Sequence, residues 1–408
     1  MSESMRCRGM RDILPAEMAR FRRVEQAFRD VCLGWGYGEI RTPTIEHLHL
    51  FTAAGTLSPQ MLGRVYSFLD WDGWSGERVV LRPESTIPTA RLYVEQFAGQ
   101  EAAKLFYVQN VLRFAEGDES REDWQCGVEL IGDSQPLADL EIILVACEVL
   151  QRLGVDADLK LSDPGILRAV LSKAGFDKAE QLALYDRVLD GDETALDEAQ
   201  SRLPESSARI KGLLSVEGEG VQYLSNLGSA LLPVIPEIAP VLDELTAVSE
   251  VLARIGVKHR IAPVLVRNFE YYTGPVFNLY AGGQKLGGGG RYDALVSLVG
   301  GVSAPASGFA LDIDTISPLL LDAEVGESQT IAIRPAGKGS ADLAAAFSLA
   351  RTLRQSDVRV EIAGEPQERS RVDVAASSSG FVFTDDGGEP RLLAGVDDVA
   401  RAVAESRR

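Results

Sequence analysis

The chain has 408 residues, enough for more than one domain and for a substantial buried core. It carries 41 Lys plus Arg against 60 Asp plus Glu, a net charge of -19, which argues against broad nucleic-acid binding without excluding a local basic patch. Met1 to Met18 is charged throughout, and the apolar stretch Ile142 to Leu150 is broken by Glu148, so neither a signal peptide nor a membrane span is predicted.

The first predicted element is a helix from Glu17 to Leu33. Phe21, Val24, Phe28 and Val31 make one apolar stripe on it, which is expected to help form a dimer. Further on, Leu81-Arg82-Pro83-Glu84-Ser85-Thr86 reads as a fixed turn. Proline holds Arg82 extended and presents Glu84 and Thr86, where a carboxylate would suit an ammonium group. Taken alone, this is also an ordinary loop with a surface glutamate.

After Arg113, the stretch Phe114 to Asp123 holds five carboxylates and one arginine. Such a loop repels a triphosphate unless magnesium intervenes. Trp124 to Ile131 then alternates as a strand. Trp124, Cys126, Val128 and Leu130 face the core, while Gln125, Gly127 and Glu129 share the other face. Glycine between two polar residues clears a hollow where a ligand could lie. A solvated face with an incidental glycine fits the same pattern.

Roughly Ser162 to His259 reads as a helical insertion, with Leu182, Leu184, Val188 and Leu189 among its apolar positions. Leu265 to Gly274 reads as a strand with Arg267, Phe269 and Tyr271 on one face. Guanidinium and phenol together outline an amino-acid site, since one clamps a carboxylate and the other meets a ring nitrogen. A half-buried strand with packing aromatics has the same appearance. Gly287 to Gly290, before Arg291-Tyr292-Asp293, is no phosphate-cradling loop, because no Gly-Lys-Ser/Thr follows. It is expected to turn a strand closely beside the ligand.

Beyond Gly308-Phe309-Ala310 the chain reads Leu311-Asp312-Ile313-Asp314-Thr315. A small α/β domain is expected over 321–408. Its strands are marked by Ile331 and Ile333 and by Val358, Val360 and Ile362, and its helix by Leu343, Phe347, Ala350 and Leu353. Cys7, Cys32, Cys126 and Cys147 form no close pair and fit a reducing, cytoplasmic setting. With three histidines in all, no metal site is expected, nor is a cofactor.

From about Gly9 to Ala310 these segments, in this order, resemble the histidine type of class II aminoacyl-tRNA synthetases. Gly9-Met10-Arg11-Asp12-Ile13-Leu14-Pro15 is similar to the family's entry segment, and Gly36-Tyr37-Gly38-Glu39-Ile40-Arg41-Thr42-Pro43 to its first motif. The resemblance implies an α+β fold, a six-stranded antiparallel sheet flanked by helices over 1–320, followed by a shortened relative of the anticodon-binding domain. It also implies that Glu84, Thr86 and Gln125 hold the ammonium of histidine, Glu129 and Tyr271 its imidazole, and Arg267 its carboxylate. Arg113 and Tyr272 complete that histidine-binding set. The family's third motif, however, has a glycine where Asp312 stands and an adenine-stacking arginine where Thr315 stands. With the acidic loop, this resembles the non-catalytic regulatory subunits of ATP phosphoribosyltransferase. Such proteins act with a short catalytic subunit, bind L-histidine as feedback inhibitor, occur as homodimers within a hetero-oligomer, and use no tRNA. An active histidyl-tRNA synthetase is the alternative.

Overall fold

The computed structural model describes residues 5–53, 63–71, 76–99, 102–115, 117, 119–133, 136–189, 192–203, 210–265, 271–301, 303–320, 331–356, 358–363, 372–385 and 388–406. The chain divides into two compact units, Met1–Leu320 and Leu321–Arg408. Among the described residues no helix is long and apolar enough to cross a membrane.

Helix α1 (Pro15–Gly34) opens the first unit with proline in its first turn, where no intrahelical N–H partner is lost. Six strands form the antiparallel centre of the main sheet, in the order β5 (Ala103–Leu112), β6 (Glu122–Ile131), β12 (Ala306–Asp312), β11 (Gln284–Arg291), β10 (Val276–Ala281) and β7 (Asp158–Ser162). The six-stranded antiparallel centre agrees with the expected class II type of fold, but the sheet is larger. β1 (Gly38–Glu39) adds in parallel to β5, β9 (Arg260–Ile261) adds in parallel to β7, and β8 (Gly218–Glu219) closes the far edge, making nine strands. A separate three-stranded sheet has the order β2 (Ile45–His47), β4 (Gly76–Leu81), β3 (Ser67–Trp71).

The α1 stripe is buried inside its own chain. Phe28 stands edge-on to Phe106 at 5.9 Å and to Phe309 at 6.3 Å, and Phe21 meets Trp124 at 5.5 Å. Phe21, Val24, Phe28 and Val31 are at most 2 % exposed, which corrects the expectation that this stripe faces a second copy. An amphipathic helix needs one apolar face covered, and here the sheet covers it.

The glycine run also differs from its expectation. Gly287 to Gly290 is no turn but the inner part of β11, hydrogen-bonded on both sides. A side chain on Gly290 would lie 2.6 Å from the carbonyl of Pro275, so the run is bare because its neighbours crowd it. Likewise, Tyr271 lies in a turn rather than in a strand, while Val266 to Glu270, including Arg267 and Phe269, lies outside the described residues.

Between β7 and β9 run helices Pro164–Lys173, Lys178–Leu189, Glu193–Ser201, Ile210–Leu214, Gly220–Leu231 and Ala239–Arg254. Leu227, Leu245 and Leu252 are fully buried in the same core as Phe277 and Leu286 of the sheet, so this insertion shares the main hydrophobic core.

In the second unit, β13 (Ile331–Pro335) is flanked in parallel by β14 (Val360–Ile362) and β15 (Val372–Ser377), with helix Ser340–Gln355 linking β13 to β14. β16 (Gly380–Asp385) and β17 (Arg391–Leu393) extend the sheet. The helix buries Ala346, Leu349, Ala350 and Leu353, whereas Leu343 and Phe347 are exposed. Positions 346, 349, 350 and 353 keep the three-and-four spacing of one helical face, and two of the four expected positions fall off it.

Candidate functional site: a box of carboxylates and tyrosines

The site forms where β6 and β12 meet the start of helix α3 (Thr86–Gln96), α2 being the short helix Leu48–Ala53. Arg82 is buried and reaches back to the carbonyls of Asn110, Thr42 and Pro43 at 2.7, 2.8 and 3.2 Å. Those bonds fasten the turn that presents Glu84. The Glu84 carboxylate accepts hydrogen bonds from the backbone N–H groups of Thr86 and Ile87, both at 2.9 Å, so it caps the positive end of α3. Arg113 donates to the carbonyl of Pro83 at 2.7 Å and lies near enough for its charge to favour ionised Glu84.

Glu129 comes from β6 and is 1 % exposed. Tyr107 donates to one of its oxygens at 3.2 Å, and Tyr292 donates to the other. Two glycines make this possible. A side chain on Gly127 would overlap the ring of Tyr107, paired opposite on β5, and one on Gly308 would overlap the Glu129 carboxylate. The hollow expected over Gly127 is therefore filled by Tyr107. Tyr271 leans against Tyr292 with ring centres 5.3 Å apart and meets Tyr272 edge-on at 5.1 Å.

Burial dominates the electrostatics. It pushes Glu84 up to about 7, although the N–H groups of Ile87 and Thr86 and the charge of Arg113 pull the other way. It pushes Glu129 up to about 8, opposed by hydrogen bonds from Tyr292, Thr86 and Tyr107 and reinforced by the charge of Glu84. Burial and these carboxylates hold the phenols of Tyr107, Tyr271, Tyr272 and Tyr292 protonated, so they remain donors near neutral pH. The box can thus offer two acidic groups and several neutral donors to a small cationic molecule.

Of the sequence-derived residues, Glu84, Thr86, Glu129, Tyr271 and Tyr272 come together here, with Arg113 beside Glu84. Gln125 lies on the same face of β6, four residues from Glu129, in register with Gln109 and Asp312. Arg267 lies outside the described residues. Tyr107 and Tyr292 were missed, because their roles depend on which glycine each one faces across the sheet.

Around Asp312, in register with Gln125, lies the region that the resemblance would assign to ATP, and it is acidic. Asp312 caps the short helix Ile313–Ile316 by accepting from the N–H of Thr315 at 3.0 Å. Burial raises its pKa, and the charges of Asp314 and Asp123 add to the shift. Asp314 accepts the N–H of Trp124 at 2.7 Å and pairs with Arg11. In the acidic loop, Arg121 lies over the Phe114 ring at 4.6 Å and donates to the carbonyl of Ala115 at 3.0 Å. Arg113 reaches Asp123 at 3.6 Å. Glu116 and Asp118 lie outside the described residues.

Sheet, motif order and box together define a class II synthetase-type domain of the histidine kind. A family model described as histidyl-tRNA synthetase matches residues 9–316. An ATP phosphoribosyltransferase regulatory subunit of Dehalococcoides mccartyi is 42 % identical over 88 % of this chain and 87 % of its own length. A histidine–tRNA ligase of Methanosarcina acetivorans is 35 % identical over 76 % of this chain and 74 % of its own. The crystal structure of an ATP phosphoribosyltransferase regulatory subunit/histidyl-tRNA synthetase from Bacillus halodurans aligns with a TM-score of 0.74 at 27 % identity, covering 90 % of this chain and 95 % of that one. The chain belongs to the histidyl-tRNA synthetase family, in its branch of ATP phosphoribosyltransferase regulatory subunits.

Proposed function

We propose that this chain is the regulatory subunit of an ATP phosphoribosyltransferase, binds L-histidine in the carboxylate and tyrosine box, and does not activate it. In this reading, Glu84, with Thr86 and Gln125, faces the ligand's ammonium. Glu129, held by Tyr107 and Tyr292, faces the imidazole with Tyr271 and Tyr272, and Arg267 and Arg113 lie towards the carboxylate. The partner is a short catalytic subunit, with this chain a homodimer inside the hetero-oligomer and no role for tRNA.

The observation that carries the reading is the contrast between the two neighbouring regions. The box retains the residue types that suit histidine, while the ATP region has Asp312 and Thr315 turned inward on each other and Asp314 paired with Arg11. A threonine whose N–H is capped by Asp312 supplies neither a planar cation nor a charge for adenine. The names borne by relatives at 42–46 % identity point the same way. The expected result with purified protein, ATP and histidine is no histidine-dependent pyrophosphate exchange. Exchange at about one per second or faster, an ordinary enzyme rate, would favour an active ligase instead.

A further inference from the structure

The helical insertion touches the wall of the box at two points. Arg291, the last residue of β11, directs its guanidinium away from the box while its neighbour Tyr292 reaches into it. That guanidinium is 6 % exposed and pairs with Asp139 at 2.5 Å, on helix α4 (Leu137–Arg152), and with Glu244 at 2.7 Å, on the insertion helix Ala239–Arg254. Ser307 of β12 holds the same Asp139 at 2.9 Å. The second point is Arg168, on helix Pro164–Lys173, which donates to the carbonyl of Tyr272 at 3.3 Å.

The turn that carries Tyr271 and Tyr272 is fastened to the same place. The N–H of Thr273 donates to the carbonyl of Arg291 at 2.8 Å, and the Thr273 hydroxyl accepts from the N–H of Asp293 at 3.0 Å. A side chain on Gly274 would lie 2.6 Å from the Arg291 guanidinium, so the turn rests directly on that cation. Any shift of Tyr271 or Tyr292 therefore bears on Arg291. Asp139, 2 % exposed and held by Ser307, cannot follow it freely, but Glu244 is half exposed and sits on a separate helix. The movable partner is Glu244.

We propose that Glu244 is a positioning residue through which the helical insertion responds to occupancy of the box, using its ion pair with Arg291. The proposal rests on the reading that histidine fills the box. A ligand can shift the insertion only by favouring one arrangement of the link over another, and the shared contact of turn, Arg291 and Glu244 supplies that difference.

The test uses the full chain, with histidine binding followed by calorimetry and amide hydrogen exchange followed across Ala239–Arg254. In the wild type, saturating histidine should change exchange in that helix by about threefold or more. Glu244→Gln should remove most of this response while changing histidine affinity less than about threefold, and Glu244→Asp, which keeps the charge, should restore part of it. If histidine binds but the helix does not respond, or responds equally in Glu244→Gln, the link is wrong and the pocket assignment stands. Failure of histidine to bind the wild-type chain would overturn the pocket assignment and this proposal together.

Discussion

Glu129→Gln should weaken histidine binding and, at alkaline pH, make the unliganded protein more stable. A charge-assisted hydrogen bond contributes about 1.5–3 kcal/mol, so its loss should raise the dissociation constant roughly tenfold to a hundredfold. The stability effect follows from the raised pKa. Below about pH 4.5 the carboxyl carries its proton in both the folded and the unfolded chain and contributes no pH dependence. Between there and about 8, only the folded chain keeps the proton, so stability falls as pH rises. The accumulated cost is on the order of 3–5 kcal/mol, and a neutral glutamine avoids it. Denaturant titrations should therefore find variant and wild type similar at pH 5 and the variant more stable, by about 2 kcal/mol or more, at pH 8.5. A variant that is less stable at both pH values would mean that Glu129 is ionised and structural in the empty protein.

Histidine affinity should rise with pH, because the empty box holds protons that a cation displaces. Glu84, near 7 when the box is empty, must ionise to meet the ammonium. That step alone makes binding about tenfold tighter at pH 8 than at pH 6. Glu129, near 8, adds little to this ratio, because the imidazole it faces gives up its own proton over the same range and a proton passed from Glu129 to the imidazole is not released. The carboxylates and phenols are the groups facing each other across the box, with Arg113 the nearby cation, and the phenols stay protonated throughout this range. Calorimetry in two buffers of different ionisation enthalpy should detect net proton release at pH 7. Net uptake, or an affinity independent of pH, would contradict this assignment of the carboxylates.

The parts of this site that were legible in the sequence are those governed by local periodicity. The alternation of Trp124 to Ile131 placed Glu129 on the face opposite Cys126, Val128 and Leu130, as the sheet has them, but it did not show that Glu129 is as buried as they are. The stripe on α1 was recognisable as a buried face, but a stripe does not say what buries it, and here it is Phe106, Trp124 and Phe309 of the same chain. Gly287 to Gly290 was misread as a turn because glycine's usual local meaning is a turn, while the cause here is crowding from β10 and β12. Tyr107 and Tyr292 were invisible for a related reason. Neither carries a local signal, and each becomes a site residue only through a carboxylate fixed between strands distant in sequence.

The measurement that bears most directly on the central claim is phosphoribosyl transfer by a short ATP phosphoribosyltransferase catalytic subunit, assayed with and without this chain and with and without histidine. The account predicts that the catalytic subunit is nearly silent alone, active when this chain is added, and inhibited again by histidine unless Glu129 is replaced. Full activity without this chain, or inhibition by histidine that is indifferent to Glu129→Gln, would contradict it.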